Sequence, residues 1–498
     1  MKKKLTAALA LLLVPLLFSA CSEAPVTEEK ETGTTAEALT EEEAPAEEEP
    51  EYSVTDTVNE RYRDADLGGY EYKVLAPPND GHFYAQVAAG INEVYAEELN
   101  GELINDAIFN RNLKAEDQLN MTVSPVWASG DTGGITSQVN KEVMAGVTDY
   151  DAVLNRMDYL GTSMQSGCLL NIRDIPTMDV SDPWWDENIV NAFTLFDKLY
   201  WISGDINIFD DFAVEVIFFN KRICGDIGEA APYSDVLEGK WTLDRFYEMA
   251  KKAELDVDGD GKLNIAKDVV GHSENNDHIK HWIYAMGEKS LNIGADGSLE
   301  LMVQTERQIN VVNKLYSYMV ENTMTYTGGA DLFRQGHMLF LGDMLGPINS
   351  YREMEDDFGV VPMPKYDEQQ ERYGEYISNG WTTAYGIPMT NADPERTGMI
   401  LDCLCGYSTD TLRVALYDVL FAAKLVRDTE STEMLNIIFD SKSYDWAVDF
   451  SWGGTFLSLY NNLYSSGTNN FVSTAEKSMK PMTKSLERLI QSIQELEY

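Results

Sequence analysis

The chain has 498 residues, enough for two or three compact domains with large cores. Its composition is 44% hydrophobic and 11% aromatic, which excludes a wholly disordered or collagen-like protein. The 83 acidic and 38 basic residues give a formal net charge of −45. Most of the surface therefore repels a polyanion, and we expect no nucleic-acid partner.

The N-terminus has the layout of a secretory signal. Three lysines at 2–4 precede an apolar run over 5–18, which is shorter than the ~20 residues of a membrane-spanning helix. The following Ser19-Ala20-Cys21 resembles the end of a bacterial lipobox, although Phe18 stands where Leu is usual. The resemblance implies a signal peptide at 1–20 and lipidation, such as palmitate, on Cys21. An ordinary cleaved signal is the alternative.

Residues 21–68 are predicted to be a disordered acidic stalk. From 22 to 51 the chain is mostly Glu, Thr, Ala and Pro, with triple-Glu runs at 41–43 and 47–49. Such a segment cannot bury a core, and its like charges extend it. With the lipid anchor, the stalk predicts a protein tethered to the extracytoplasmic face of the cell membrane. A specific acidic interaction tail is the alternative.

The remaining chain alternates predicted strands and helices. Two strands with a helix between them open a β-α-β unit, and the apolar run at 214–219 suits a buried strand. Predicted strands lie at 72–76, 121–126, 150–154, 200–202, 214–219, 338–341 and 359–361. One predicted helix begins at Thr242 and another covers 395–421. A third covers 473–497, with Ser473 or Thr474 as its N-cap. This order of elements indicates an α/β protein.

Apart from Cys21, four cysteines are widely spaced and follow no metal-binding pattern: Cys168, Cys224, Cys403 and Cys405. Cys403 and Cys405 are two apart on a predicted helix, so their side chains diverge and cannot form a disulfide. We expect all four to be buried thiols rather than a disulfide framework.

Several short motifs follow one another in order: YDAVL at 150–154, GCLLNI at 167–172, DPWWD at 182–186, KLYW at 198–201, a hydrophobic strand ending in Asn-Lys at 220–221, and GKWTLD at 239–244. In order and spacing they resemble the extracellular solute-binding lipoproteins of bacterial ABC importers, most closely the family that includes maltose- and oligosaccharide-binding proteins. The resemblance covers nearly everything after about Gly69.

The resemblance implies a two-lobe, periplasmic-binding-protein-like fold of type II that closes on a ligand between hinge-linked lobes. By order of segments, lobe one is expected at 69–210 and 375–430, and lobe two at 211–374 and 431–498. The expected protein is a monomer that captures a solute and delivers it to the membrane subunits of an ABC importer. Ligand contacts with both lobes would stabilise the closed form.

The aromatic and acidic residues favour a carbohydrate ligand, because sugars combine apolar faces with hydroxyl rims. The predicted binding residues lie in loops beside strand ends: Asp158, Tyr159, Asp343, Trp381 and Trp452. Packing within a lobe is the alternative role for each aromatic side chain. A helix cap or turn is the alternative for Asp343.

One loop has the spacing of a calcium-binding EF-hand. Oxygen ligands stand at positions 1, 3, 5 and 9 of the motif and one residue after position 12: Asp256, Asp258, Asp260, Asn264 and Asp268. Gly261 permits the sharp turn, whereas Lys267 occupies position 12, where a bidentate acid belongs. The prediction is a structural Ca²⁺ with no role in chemistry. A solvated acidic turn is the alternative.

No catalytic motif is recognisable, so we expect no enzyme and no cofactor required for chemistry. Two alternative functions stay open at this point. A lipid-anchored glycoside hydrolase needs a pair of suitably spaced carboxylates, a distance that the sequence does not give. A carbohydrate-binding surface adhesin is the other, and within the importer hypothesis the solute need not be a sugar.

Overall fold

The structure is a computed structural model. It describes residues 53–78, 92–130, 132–273, 279–294, 297–321, 325–326, 329–377, 382–422, 429–449, 459–460, 463 and 467–496.

The first sheet is built by consecutive β-α-β units. Its parallel strands are β1 (Tyr70–Ala76), β2 (Met121–Trp127) and β3 (Ala152–Arg156), and β12 (Thr383–Gly386) joins β3 as an antiparallel edge. The strand order is β12-β3-β1-β2. Parallel pairing places the carboxyl ends of β1, β2 and β3 at one edge, where open α/β sheets bind ligands.

The second sheet contains β4 (Glu215–Asn220), β5 (Val270–Ser273), β8 (Thr325–Tyr326), β9 (Met338–Met344) and β10 (Phe358–Val361), in the order β10-β4-β9-β5-β8. Every residue of β4 is buried, as the apolar run at 214–219 predicts. We call the two sheets, each with its covering helices, lobe one and lobe two. Two small pairs complete the strands: β6 (Leu291–Ile293) with β7 (Leu299–Leu301), and β11 (Glu375–Tyr376) with β13 (Lys442–Ser443).

Helices cover the sheets and connect the strands. In chain order they are α1 (Val54–Arg61), α2 (Leu103–Leu119), α3 (Thr132–Ala145), α4 (Met157–Gln165), α5 (Glu187–Phe193), α6 (Phe209–Phe212), α7 (Lys221–Asp226), α8 (Tyr233–Leu237), α9 (Leu243–Ala253), α10 (Ile279–Ala285), α11 (Glu306–Tyr316), α12 (Ala330–Arg334), α13 (Pro394–Thr409), α14 (Leu412–Ala422), α15 (Thr429–Asp440), α16 (Trp446–Asp449) and the C-terminal helix Phe471–Glu495. None of the described helices is both long and apolar enough to span a membrane.

Several predicted elements differ from the observed ones, and the strand predicted at 150–154 is observed at Ala152–Arg156. Residue 202 makes only an isolated bridge to Tyr385, so 200–202 is not a strand. The helix predicted over 395–421 breaks at Asp410 and Thr411, where the Thr411 hydroxyl donates to the Tyr407 carbonyl and competes with the helical backbone. The C-terminal helix begins at Phe471 rather than Ser473, because the Phe471 ring is buried against Tyr460.

The predicted stalk boundary also needs correction. Helix α1 lies within 21–68, yet Val58 on this helix is fully buried in the core of lobe one. The Arg61 guanidinium pairs with both oxygens of Asp182 at 2.6 and 2.8 Å, and it contacts Asp402 at 2.9 Å. These long-range contacts order a segment whose own composition is too polar to predict a core. The folded part therefore begins earlier than residue 69.

The four cysteines Cys168, Cys224, Cys403 and Cys405 are buried free thiols, as predicted. Burial raises the pKa of the Cys224 thiol to about 12. Buried thiols of this kind are poor nucleophiles, so the cysteines act as small hydrophobic side chains.

The chain passes between the two lobes more than once. Val214, directly before β4, bridges to Ile377, which follows β11. Strand β11 pairs in parallel with β13, so residues 375–377 and 442–443 run side by side at the junction.

A buried lysine holds this junction together. The Lys442 ammonium lies 2.9 Å from Asp186, 2.7 Å from Asp210 and 3.1 Å from Asp211. The Tyr444 hydroxyl also donates to Asp186 at 3.1 Å. Three carboxylates around one ammonium leave excess negative charge in a buried site, and burial raises the pKa of Asp210 to about 7.

We predict that Asp210→Asn reduces the pH dependence of stability. Native Asp210 keeps a proton that an unfolded chain, with the ordinary pKa of 3.8, has already lost. The free energy of unfolding therefore falls as pH rises from about 4 to about 7, by on the order of 4 kcal/mol from this residue. Asparagine does not titrate, so urea unfolding between pH 5 and pH 8 should show a smaller slope in the variant.

Asp418→Asn is the matched control, because it makes the same chemical change at a residue that is exposed on α14. This control is expected to keep the wild-type slope. A wild-type slope in Asp210→Asn would contradict the assignment of a proton to Asp210.

Candidate functional site

The strongest candidate site lies where β3 ends. Arg156 is the last residue of β3 and the N-cap of α4, so Asp158 falls in the first turn of that helix. A carboxylate is favoured there because the first helical N–H groups point toward it. Asp158 and Tyr159 therefore lie at the carboxyl edge of the first sheet, as the sequence predicts for ligand-binding residues.

The local geometry joins three side chains into one cluster. The Arg156 Nε and Nη2 atoms donate to the two Asp158 carboxylate oxygens at 3.0 and 2.6 Å. The same guanidinium lies over the Tyr159 ring, 5.0 Å from its centroid. Burial raises the pKa of Asp158, and the charge of Arg156 opposes that rise. The Asp158 side chain keeps 17% of its surface exposed, so a ligand can reach it.

This cluster presents both hydrogen-bonding and stacking groups. A planar guanidinium, a carboxylate and a phenol ring together match the hydroxyl rim and apolar face of a sugar. Arg156 is the member that sequence reasoning missed. The sequence did contain an indication, because this cation lies just beyond the predicted strand 150–154 and two residues before a predicted ligand carboxylate.

Asp343 stands near the end of β9 in lobe two. One carboxylate oxygen accepts the Met344 backbone N–H at 2.9 Å, and the other accepts the Tyr351 hydroxyl at 2.6 Å. Burial and the adjacent Asp343 charge raise the pKa of Tyr351. Asp343 is half-buried at a strand end, which suits a ligand contact. Its hydrogen bonds within lobe two are equally those expected of a residue that stabilises a turn.

The strand ends that carry Asp158 in lobe one and Asp343 in lobe two are both connected to the segment that crosses between the lobes. Thr383 pairs with Arg156, and the Leu345 N–H donates to the Val214 carbonyl at 2.9 Å. Val214 in turn bridges to Ile377. Thr383 lies six residues after Ile377, so these two contact points are at most roughly 21 Å apart.

Three further predicted residues lie outside the described part of the chain. They are Trp381, Trp452 and the lipidation residue Cys21. Their roles stay predictions.

Two adjoining cavities of about 530 and 600 Å³ lie at the lobe junction around Lys442. Neither is lined by Asp158, Tyr159 or Asp343. The polar groups in their walls bond mainly to one another: Lys442 to three aspartates, and the Arg372 Nη2 to the Asp440 carbonyl at 2.7 Å. Size alone therefore does not make either cavity the preferred ligand site.

The predicted calcium loop brings three carboxylates together. Ligand oxygens of Asp256, Asp258 and Asp260 lie within 4.8 Å of one another, and Gly261 adopts a positive φ of 80°. Asp268 has a different environment. Its two carboxylate oxygens accept the backbone N–H groups of Val257 at 2.9 Å and Asn264 at 2.7 Å, which closes the loop.

Comparison with solved structures identifies the architecture. A cyclo/maltodextrin-binding protein complexed with maltotetraose has a TM-score of 0.53 at 15% identity, and the match covers 87% of this chain and 100% of that chain. A family 1 extracellular solute-binding protein from Bifidobacterium longum subsp. infantis has a TM-score of 0.54 at 14% identity, with 83% and 100% covered. UgpB from Mycobacterium tuberculosis, in complex with glycerophosphocholine, has a TM-score of 0.53 at 15% identity, with 85% and 99% covered.

No protein-family model matches the sequence, and no curated protein matches it. At identities this low, the structural likeness establishes the fold alone. The predicted α/β, two-lobe fold of the periplasmic-binding-protein type is confirmed.

Proposed function

We propose that this protein is the extracytoplasmic solute-binding component of an ABC importer and that its solute is a carbohydrate. The observation that carries the proposal is the partly exposed Arg156–Asp158–Tyr159 cluster at the carboxyl edge of the first sheet. The same fold holds maltotetraose in the maltodextrin-binding protein. Capture proceeds without turnover, and the released solute passes to the importer's membrane subunits.

Binding would work by shifting the population of lobe arrangements. A ligand that touches Asp158 in lobe one and Asp343 in lobe two gains contacts only when the lobes approach each other. Its differential affinity for that arrangement sets how far the equilibrium moves. The membrane subunits then recognise the closed form.

We predict saturable sugar binding that depends on Asp158. A sugar at ~100 times its dissociation constant should add ~2.7 kcal/mol of stability, visible as a rise in melting temperature. Asp158→Asn should weaken affinity roughly 10- to 100-fold, because a hydrogen bond to a charged group contributes about 1.5–3 kcal/mol. Calorimetric titration measures this loss, and Asp149→Asn, at an exposed residue of lobe one, is the control.

Three outcomes separate the candidate functions. Equal affinity in wild type and Asp158→Asn would refute the assigned site. Shorter products released from the sugar would favour a glycoside hydrolase. Glycerophosphocholine belongs in the ligand panel because UgpB shares the fold, and a response to it without any response to sugars would keep the importer function and change the solute class.

We also propose that Cys21 carries the lipid anchor. Cys21→Ala should move the protein from the membrane fraction to the medium and abolish labelling by radioactive palmitate, because an acyl chain of this kind supplies the membrane affinity. Ser22→Ala, a change at the next residue, should leave both unaffected. Palmitate labelling that persists in Cys21→Ala, or a wild type that takes up no label, would refute the anchor.

We further propose a Ca²⁺ ion in the loop of Asp256, Asp258 and Asp260, since three converging carboxylates are the oxygen ligands that calcium prefers. Calcium added after EDTA treatment should raise the melting temperature of the wild type and release binding heat. Asp258→Asn should lose both effects, whereas Asp226→Asn, at an exposed position outside the loop, should keep them. Absence of binding heat in the wild type would contradict the site.

A further inference from the structure

A third cavity, of about 390 Å³, lies in lobe one at the end of β2. Its walls come from the last residues of β2, the first turns of α2 and the segment 92–100. Helix α2 runs back across the sheet between β1 and β2, so its N-terminus lies at the carboxyl edge of the parallel strands. The cavity therefore opens at the edge that also holds the Arg156–Asp158–Tyr159 cluster.

An exposed tryptophan forms one wall of this cavity. Trp127 is the last residue of β2 and keeps 41% of its surface exposed. Pro125, two residues earlier on the same face of the strand, also lines the cavity, while the buried Ala96 and Ile108 form an apolar floor. An indole exposed beside a concave apolar floor offers a stacking surface to a ligand ring.

Three asparagine side chains lie in the walls of the cavity. In each of them, either the amide oxygen or the amide nitrogen forms hydrogen bonds with nearby groups of the protein. The Asn92 oxygen accepts the Val94 N–H at 2.9 Å, and the Asn100 oxygen accepts the Glu102 N–H at 2.8 Å. The Asn105 nitrogen donates to the Glu98 carbonyl at 2.8 Å. Among the described residues, the other half of each amide has no partner. Two amide donors and one amide acceptor therefore remain, a combination that matches hydroxyl groups, which donate and accept.

The charges around the cavity select against an anionic ligand. Glu97 and Glu98 line it, and Glu102 and Asp106 lie at the adjacent start of α2. Among the residues that the structure describes, the lining contains no Lys, Arg or His. An uncharged, hydroxyl-rich ligand with a flat apolar face fits this combination of indole, amides and carboxylates.

We propose that this cavity is a second carbohydrate subsite, in which Trp127 stacks against a sugar ring distant from the ring held at Asp158. The inference rests on the proposed function and deepens it. Strand β1 lies between β3 and β2, so the two subsites are separated by two strand spacings, about 9.6 Å. The solute is therefore an uncharged oligosaccharide longer than one ring.

The test is a length series of sugars against Trp127 variants. Calorimetric titration would compare maltooligosaccharides and cellooligosaccharides of one to six units for the wild type, Trp127→Ala, Trp127→Phe and Leu103→Ala. Leu103 is the matched control, since it is exposed on the same part of lobe one and does not line the cavity. Melting temperatures of the ligand-free variants check that each one folds.

The proposal expects affinity to rise with ligand length in the wild type. Trp127→Ala should lose roughly tenfold in affinity for the longer sugars and little for the shortest one that binds. Trp127→Phe should retain most of the length dependence because it keeps an aromatic ring, and Leu103→Ala should behave as wild type.

Two results would overturn the inference while leaving the proposed function intact. One is an unchanged length profile in Trp127→Ala, and the other is an equal loss for every length. A wild type that binds none of these sugars would instead overturn the proposed carbohydrate function, and the subsite with it.

Discussion

The ion cluster around Lys442 is the interaction on which the lobe junction depends. An ammonium and three carboxylates are removed from water at the point where β13 runs beside β11. Removing one partner from such a buried group typically costs about 3–5 kcal/mol, because the remaining charges lose compensation. Asp186 and Asp210 belong to segments that precede β4, whereas Lys442 follows α15. The cluster therefore fixes a late crossing segment against the earlier part of the chain.

The C-terminal helix adds a second connection across the junction. Near its start, the Gln304 side chain of lobe two donates to the Val472 carbonyl at 2.7 Å. At its end, the Lys198 ammonium of lobe one donates to the Leu496 carbonyl at 2.6 Å, where a cation also complements the helix dipole. Pro481 lacks the N–H of a regular helix, so the helix can bend most easily near its middle. The helix is therefore held at one end by lobe two and at the other end by lobe one.

Local patterns predicted much of the fold, and long-range contacts account for what they missed. Strand β4 and the β-α-β opening could be predicted because a buried strand requires apolar side chains at consecutive positions. Helix α1 was missed because Arg61 is ordered by Asp182 and Asp402, far away in sequence. Asp158 was predicted from its place after a strand, whereas Trp127 was not, since its exposure beside α2 depends on tertiary packing.

Charge links the composition of the chain to the chemistry of the proposed ligand. A net charge of −45 repels anionic solutes from most of the surface. The acidic residues Glu97 and Glu98, which line the cavity beside Trp127, repel anions in the same way. At the end of β3 the pattern changes, because Arg156 compensates Asp158 within a half-buried cluster. A neutral ligand is not repelled by the carboxylates beside Trp127. It also leaves the ion pair between Arg156 and Asp158 intact, because it brings no charge that competes with either partner. Uncharged hydroxyl groups are the ligand chemistry that satisfies both environments.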